Sequence, residues 1–248
     1  MNNPFSLEGK VILVTGASSG IGRGIAIECS KMGAQLIISA RNQTRLNETL
    51  HLLEGSDHKL VLADLADDQG IASLTDQLPP LDGVVHVAGI VKPKPFKFLN
   101  RKELDEIMNI NFFGPTILTN NLIRKNLIKR QASVVFISSI SGVNCSYIGG
   151  SAYSASKGAI NGIVKGIALD LAPKAIRVNT IVPAMVETNI LEGSGISEEE
   201  LIEDRKRYPL GRYGKPEDVA YACIYLLSDA SSWVTGSNIL LDGGYTLI

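Results

Sequence analysis

Tyr153 and Lys157 have the residue types and the spacing of an acid/base pair. They lie four positions apart in a segment with a helical pattern, so both side chains project from one face of the predicted helix. A free phenol has a pKa of about 10 and needs help to exchange protons near neutral pH. A neighbouring ammonium favours the phenolate, so the pair is a candidate for proton transfer. The same spacing also occurs in amphipathic surface helices, and spacing alone does not decide between the two.

A glycine-rich turn near the start of the chain has the composition of a phosphate-binding loop. The run from Thr15 to Gly22 reads Thr-Gly-Ala-Ser-Ser-Gly-Ile-Gly, follows an apolar segment and leads into a helical pattern. Glycines permit close approach to a pyrophosphate, and the free N–H groups of a helix start favour anions. A purely steric turn is the alternative, but the position between strand and helix favours nucleotide binding. The predicted contacts are Gly16, Ser18, Ser19, Gly20, Ile21 and Gly22.

The spacing of these glycines, Gly-x-x-x-Gly-x-Gly, resembles that of the short-chain dehydrogenase/reductase family. The resemblance extends over nearly the whole chain. The further matches are Asp64 in Ala63-Asp64-Leu65, Ala88-Gly89, Asn111, Ser139, Tyr153-Ser154-Ala155-Ser156-Lys157, Pro183 with Thr188, and the ending Asp242-Gly243-Gly244. Agreement in order at so many sites argues against coincidence.

The resemblance implies a nicotinamide-dependent oxidoreductase that interconverts a carbonyl and an alcohol. Tyr153 would protonate the developing alkoxide, and Ser139 would hydrogen-bond the same oxygen. Lys157 would keep the tyrosine reactive and bind the nicotinamide ribose, while the cofactor supplies the hydride chemistry. Ser138 and Ser141 are the nearby alternatives to Ser139.

Two further sets of positions follow from the resemblance. Asn111 would anchor a water that resupplies protons, with a helix-interior amide bonded to backbone as the alternative. The remaining cofactor contacts would be Asp64, Leu65, Ala88, Gly89, Tyr153, Lys157, Pro183, Val186 and Thr188.

The end of the second predicted strand indicates which nicotinamide cofactor is used. An acid there bonds the ribose hydroxyl and repels a 2′-phosphate, but the segment Ser39-Ala40-Arg41-Asn42 contains none. Arg41 offers a planar charged fork to a phosphate, and Arg45 lies one helical turn further on. We therefore expect NADP(H) as the favoured cofactor and NAD(H) as the alternative. An arginine on a solvated loop is the plain interpretation of Arg41.

Composition limits the class of protein. A chain of 248 residues with 45% apolar content can bury a substantial core in one domain. The 24 basic and 25 acidic residues form no long block of one sign, which argues against nucleic-acid and membrane partners. The absence of a secretion signal or a long apolar run predicts a cytoplasmic location. Three widely separated cysteines argue against a disulfide framework or a metal site.

Short apolar runs alternate with helical patterns along the chain. The predicted strands are Lys10 to Val14, Gln35 to Ser39, Lys59 to Ala63, Gly83 to Val87, Ser133 to Ser138, Ile176 to Val182 and Asn238 to Leu241. The predicted helices are Ile21 to Met32, Gln43 to Leu53, Asp67 to Leu78, Lys102 to Lys129, Ala152 to Leu171 and Pro216 to Leu227. This alternation predicts an α/β protein with a Rossmann-type doubly wound parallel sheet of about seven strands and helices on both faces.

The predicted single domain spans residues 1–248 and includes two irregular stretches. Ile90 to Asn100 and the loop from Met185 to Arg212 both follow strand ends, so they are candidate substrate walls. His86-Val87 replaces the Asn-Asn that the family has before Ala-Gly. His86 is interpreted as structural rather than catalytic.

Within the family, the chain is most similar to 3-oxoacyl-[acyl-carrier-protein] reductases. This similarity implies a small carbonyl or alcohol substrate or an acyl thioester, with sugar, polyol or steroid alcohols as the alternative. Lys92, Lys94 and Lys97, or Arg205 to Arg207, could provide basic surface for an acidic carrier. A catalytically silent NADP-binding sensor or scaffold is the alternative of another class. The family and the apolar chain end predict a homotetramer, with a chain end folded back onto its own core as the alternative.

Overall fold

The computed structural model describes residues 3–188 and 197–247. This part of the chain contains seven strands: β1 (Val11–Thr15), β2 (Gln35–Ala40), β3 (Lys59–Leu62), β4 (Leu81–His86), β5 (Ile128–Ile137), β6 (Arg177–Pro183) and β7 (Asn238–Leu241). They form one sheet in the order β3-β2-β1-β4-β5-β6-β7, and every neighbouring pair is parallel. The predicted Rossmann-type fold is confirmed, and the chain order reverses between β1 and β4.

Helices cover both faces of the sheet. They are α1 (Gly20–Lys31), α2 (Gln43–His51), α3 (Asp68–Asp76), α4 (Arg101–Met108), α5 (Gly114–Arg124), α6 (Ser151–Leu171), α7 (Glu198–Arg205) and α8 (Pro216–Leu227). No helix within the two described ranges is long and apolar enough to cross a membrane.

The side chains of β1 show how the two faces are filled. Ile12 and Val14 belong to a buried core that also contains residues of α1 and α8. Leu13 points the other way, into a second core with residues of α3, α5 and α6. Successive strand residues point to opposite faces, so a strand that is apolar throughout must be covered on both sides.

The prediction of a single helix from Lys102 to Lys129 is wrong. Helix α4 ends at Met108, a five-residue π-turn (Asn109–Phe113) follows, and α5 ends at Arg124. Asn126 then adopts a left-handed conformation with φ 55°, which ends the helical path, and β5 already begins at Ile128. The sequence conceals this boundary, because a short apolar run in a buried strand cannot be distinguished from a buried helix by its periodicity alone.

The loop from Met185 to Arg212, expected to be irregular, contains α7. The Ser197 hydroxyl accepts the Glu200 N–H at 3.2 Å, and the Glu200 carboxylate accepts the Ser197 N–H at 2.8 Å. This reciprocal capping box fixes the start of the helix. Residues 189–196 of the loop, with Gly193 and Gly195, lie outside the described residues.

The chain end after β7 is tied to the same loop. The Asp242 carboxylate accepts the N–H groups of Gly244 and Thr246, both at 2.9 Å, and so closes a tight turn. The Leu210 N–H donates to the Gly243 carbonyl at 3.1 Å. The C-terminal segment therefore supports one of the predicted substrate walls.

Candidate active site

The carboxyl ends of β1 to β4 surround a cavity of about 700 Å³. This volume suits a small molecule or cofactor, and the reversal of strand order is where doubly wound sheets bind ligands. The predicted cofactor residues that line it are Gly16, Ser18, Ser19, Gly20, Ile21, Gly22, Arg41, Asp64, Leu65, Ala88, Gly89 and Thr188. Its other lining residues are Ser39, Ala40, Asn42, Arg45, Ala63, Val87, Ile90 and Ile110.

The glycine turn has no room for side chains at two of its positions. Gly16 has φ 68°, and a Cβ there would lie 2.7 Å from the Ala88 nitrogen. A Cβ on Gly22 would lie 2.2 Å from the Gly16 carbonyl oxygen. The described structure shows no bond from the Ser19 side chain to the start of α1, so the first N–H groups of this helix are available at the cavity wall. An anionic group fits this position.

Two guanidinium groups border the cavity beside β2. Arg41 Nη1 lies 3.7 Å from Asp64 Oδ2, and both side chains are about half exposed. An exposed ion pair of this kind is weak, so Arg41 can turn to another anion. Arg45 follows in the first turn of α2, where Asn42 accepts its N–H at 2.9 Å. The positive charge and the helix start together suit the 2′-phosphate of NADP(H).

Arg23 is a structural link that the sequence analysis did not single out. Its guanidinium donates to the carbonyls of Ser18 at 2.8 Å and Arg45 at 3.2 Å, and to the Glu48 carboxylate at 2.9 Å. Its Nε donates to the Thr49 hydroxyl at 3.0 Å. Arg23 thus fixes the glycine turn against α2. The signal that could have identified it is a cation in the first turn of α1, where the helix dipole disfavours positive charge.

Tyr153 and Ser139 approach each other beyond Gly89, which lines the cavity. Tyr153 lies in the first turn of α6, and Ser139 follows β5. Burial raises the pKa of Tyr153 to about 12, and the nearby Ser139 hydroxyl offsets only part of this rise. The phenol is therefore protonated near neutral pH, which is the form that donates a proton. Ser138 is engaged differently, since it donates to the Lys157 carbonyl at 3.1 Å.

Lys157 is buried beside this pair. Its Nζ donates to the Ile137 carbonyl at 2.8 Å and lies 5.8 Å from the centroid of the Tyr153 ring. Burial lowers the pKa of Lys157 to about 8. The ammonium was expected to lower the pKa of Tyr153, but burial of the phenol outweighs any such effect in the protein alone. The reason is geometric, because the ammonium is directed at a carbonyl rather than at the phenol oxygen.

Asn111 lies in the π-turn between α4 and α5. Its Nδ2 donates to the Ile90 carbonyl at 2.9 Å and to the Ser156 hydroxyl at 3.1 Å, and its Oδ1 accepts the Ile90 N–H at 2.8 Å. The amide therefore connects the segment after β4 to α6. The extra residue of a π-turn often occurs at functional sites, because it redirects a side chain out of the helical register.

Gly89 joins the cavity to the catalytic candidates. A Cβ on Gly89 would lie 3.2 Å from Asn111 Oδ1 and 3.7 Å from Lys157 Nζ. Tyr153 and Lys157 are not among the described lining residues of the cavity. Pro183 and Val186 are outside it as well. The Pro183 carbonyl accepts the Ile140 N–H at 3.0 Å, and Val186 is buried. Most predicted cofactor residues are thus brought together, and these two support the loop behind them.

His86 has a structural environment. It is buried at the end of β4 and stacks on Phe136 with ring centroids 4.6 Å apart. Its Nε2 lies 2.8 Å from the Thr119 hydroxyl, which donates its own proton to the Pro115 carbonyl at 2.8 Å. Nε2 must therefore carry the histidine proton, and Nδ1 has no partner among the described residues. Burial lowers the pKa of His86 to about 3.

Protonation of His86 should destabilise the fold. Its pKa is about 6.5 when unfolded and about 3 when folded, so the neutral ring stabilises the protein above pH 6.5 and this stability is lost as pH falls. Between pH 7.5 and 5 the loss should be about 2 kcal/mol. Urea unfolding at both pH values should show a smaller loss in His86→Asn. Equal losses in the two proteins would contradict the assignment.

Comparisons with known proteins agree with this geometry. A family model described as Enoyl-(Acyl carrier protein) reductase matches residues 16–246. A 3-oxoacyl-[acyl-carrier-protein] reductase of Rickettsia conorii is 33% identical over 244 residues, 98% of this chain and 100% of that protein. An NADP-dependent (R)-specific alcohol dehydrogenase of Lentilactobacillus kefiri is 35% identical over 255 residues, 97% of this chain and 98% of that protein.

Solved structures show the same fold. The structure of a proposed 2-deoxy-d-gluconate 3-dehydrogenase from Agrobacterium tumefaciens with bound NADP has a TM-score of 0.88 and 32% identity, covering 100% of both chains. A nicotinamide-dependent oxidoreductase is the class of protein that this fold and these relatives define. The chain belongs to the short-chain dehydrogenase/reductase family.

Proposed function

We propose that the protein reduces a small-molecule carbonyl compound, or the oxo group of an acyl thioester, to an alcohol with NADPH. The observation that carries this proposal is the grouping of the Ser139 and Tyr153 hydroxyls with the Lys157 ammonium, which lies 5.8 Å from the centroid of the Tyr153 ring. Lys157 lies beside Gly89, which lines a cavity with the charge and backbone for a dinucleotide phosphate. The NADP named for two relatives supports the same cofactor here.

Each catalytic candidate has a distinct task. The bound nicotinamide supplies a hydride to the carbonyl carbon. The Ser139 and Tyr153 hydroxyls converge, so a carbonyl oxygen placed between them accepts two hydrogen bonds. Tyr153 gives up its proton as the alkoxide develops, and the Lys157 ammonium stabilises the phenolate that remains. Lys157 would also hold the ribose of the bound nicotinamide nucleotide, and Asn111 would position a water that restores the proton.

Arg41 should determine the cofactor preference. Arg41→Ser should lower kcat/KM for NADPH by about 10- to 100-fold, the range expected for a lost hydrogen bond to a charged group. The value for NADH should stay within about twofold, because NADH lacks the phosphate that Arg41 would contact. Steady-state kinetics with both cofactors measures this. Arg130→Ser, which changes an exposed arginine of β5, is the matched control. A wild-type preference for NADH would contradict the proposal.

An assay of carbonyl-dependent NADPH oxidation tests the function. The oxidation is monitored as the loss of NADPH absorbance. A panel of ketones, keto acids and 3-oxoacyl thioesters should contain at least one substrate that is turned over. The alternative is a silent sensor or scaffold, which would bind NADPH and oxidise none of them. The grouping of the Ser139 and Tyr153 hydroxyls with the Lys157 ammonium favours the enzyme, because a sensor needs no proton donor.

The proposal includes a homotetramer. Leu169, Trp233 and Leu247 are large apolar residues with at least three quarters of their surface exposed in the single chain. Such side chains are stabilised by an interface. Light scattering at micromolar concentration should give about four times the chain mass of 26.6 kDa. A monomer would contradict this part of the proposal, and the cytoplasmic location stays a prediction.

A further inference from the structure

Three segments lie near the first turn of α6, which carries Tyr153, and we call them the mouth: residues 91–98, residues 143–150, and residues 185–188 with 205–212. The first two are joined, because the Lys94 N–H donates to the Gly149 carbonyl at 2.9 Å. The Tyr147 ring packs against Gly150, where a Cβ would lie 2.7 Å from the ring. Tyr147 is also close enough to Tyr153 to add to the rise in the pKa of its phenol that burial causes. The third segment reaches the second, since Arg207 acts electrostatically on Cys145.

Exposed apolar side chains are concentrated on the mouth. They are Val91, Phe96, Phe98, Val143, Tyr147, Ile148, Met185 and Leu210. Ile148 is 94% exposed and Phe96 is 78% exposed, so water surrounds both in the protein alone. Single exposed apolar residues need no explanation, but a group of such residues on neighbouring segments is typical of a binding site for an apolar ligand.

The cations of the first mouth segment are already engaged. Lys92 pairs with Glu106 at 2.5 Å, and Lys94 pairs with Glu103. Both acids belong to α4. Lys97 lies over the Phe98 ring with its ammonium 4.8 Å from the centroid. These are the lysines predicted from the sequence as basic surface for an acidic carrier, and two of the three have their charge balanced by an acid of α4.

The third mouth segment shows the same pairing. Arg207 lies 3.0 Å from the Asp204 carboxylate, and Arg205 lies 3.3 Å from Glu198. The other two cations of the segment pair in the same way, Lys206 with Glu203 at 2.5 Å and Arg212 with Asp218 at 2.6 Å. Because each of these cations stands beside an acid, the segment carries almost no net positive charge that would attract an anionic sugar acid or an acidic carrier protein.

We propose that the substrate is an uncharged carbonyl compound with an extended apolar body, presented as a free small molecule rather than as a sugar acid or on an acidic carrier protein. The inference rests on the proposed function and narrows its substrate class. The carbonyl gains one hydride and one proton and becomes a secondary alcohol, while NADPH becomes NADP⁺. The apolar body lies against the mouth, where it removes the exposed side chains from water.

A series of 2-alkanones from butanone to decanone tests the apolar contact. With NADPH saturating, kcat/KM should rise about threefold to fourfold for each added methylene until the chain outgrows the mouth. Ile148→Ser and Phe96→Ser should flatten this dependence, so that kcat/KM falls much more for decanone than for butanone. Leu52→Ser is the matched control, because Leu52 is an exposed apolar residue after α2. It should keep the wild-type dependence.

Two further probes test the charge argument. 5-Ketogluconate should be a poorer substrate than octanone, and an acetoacetyl group on acyl carrier protein should be no better than the same group on N-acetylcysteamine. A flat alkanone series, or a preference for ketogluconate or for the carrier-borne group, would overturn this inference alone. Binding of NADPH without turnover of any carbonyl would overturn the proposed function together with it.

Discussion

Replacement of Tyr153 by Phe should lower kcat by roughly 100- to 10,000-fold, the range that a positioned general acid contributes. Only the hydroxyl is lost, and with it the proton that the alkoxide needs. The carbonyl oxygen then keeps one donor of two, the Ser139 hydroxyl. The KM for NADPH should change little, since the phosphate-binding turn and Arg41 are untouched. Turnover of the best carbonyl substrate and fluorescence titration of NADPH measure the two effects separately.

Tyr221→Phe is the matched control for this substitution. Tyr221 lies on α8 with 57% of its surface exposed, and removal of its hydroxyl should leave kcat unchanged. Near-native turnover in Tyr153→Phe would mean that another group donates the proton. The assignment would then pass to the mouth, where Tyr147 is the adjacent phenol.

Replacement of Lys157 by Met should weaken both proton transfer and cofactor binding. Methionine fills the buried space but carries no charge, so it neither stabilises the phenolate nor holds the ribose. We expect kcat/KM for NADPH to fall by about 10- to 100-fold through the lost contact alone, with a further loss in kcat. This combination distinguishes Lys157→Met from Tyr153→Phe, which should keep its affinity for the cofactor.

The pH profile gives an independent readout of Lys157. Its pKa is about 8 in the protein without cofactor, so the ammonium is present below that pH and is lost above it. In the wild type, kcat/KM for NADPH should therefore fall above about pH 8, since this parameter reports the free enzyme. Lys157→Met should lack this limb of the profile.

Lys165→Met is the control, because Lys165 is an exposed lysine two turns further along α6. It should retain the kinetics and the pH profile of the wild type. Thermal unfolding of both variants shows whether the fold is intact. A folded Lys157→Met protein with unchanged affinity for NADPH would contradict the role assigned to the lysine.

The sheet was predictable because its signals are local. Each strand is a short apolar run between turn residues, and the order of runs and helices leaves few topologies for a parallel sheet. The boundary after α5 was not predictable in this way. Residues 125–128 continue the apolar pattern of the helix, and only the left-handed Asn126 and the pairing of Ile128 with Leu81 reveal the strand.

The candidate site was predictable in its members but less so in its electrostatics. Motif order identifies Tyr153 and Lys157, and the helix places them on one face as expected. The direction of the ammonium depends on the carbonyl of Ile137, which the sequence places sixteen residues away from Tyr153. Arg23 was overlooked for a related reason, because its partners lie on α2 and become visible only when the two helices are packed.

The link between Leu210 and Gly243 has a practical consequence for work on this enzyme. The last turn of the chain, closed by the Asp242 carboxylate, supports the segment that lines the mouth. Residues fused after this turn would extend a part of the protein that supports the mouth, so we expect them to alter the kinetics measured with carbonyl substrates. Residues 3–10 lead into the amino end of β1, which lies at the sheet edge opposite the carboxyl ends of the strands. A purification tag is better placed on that side.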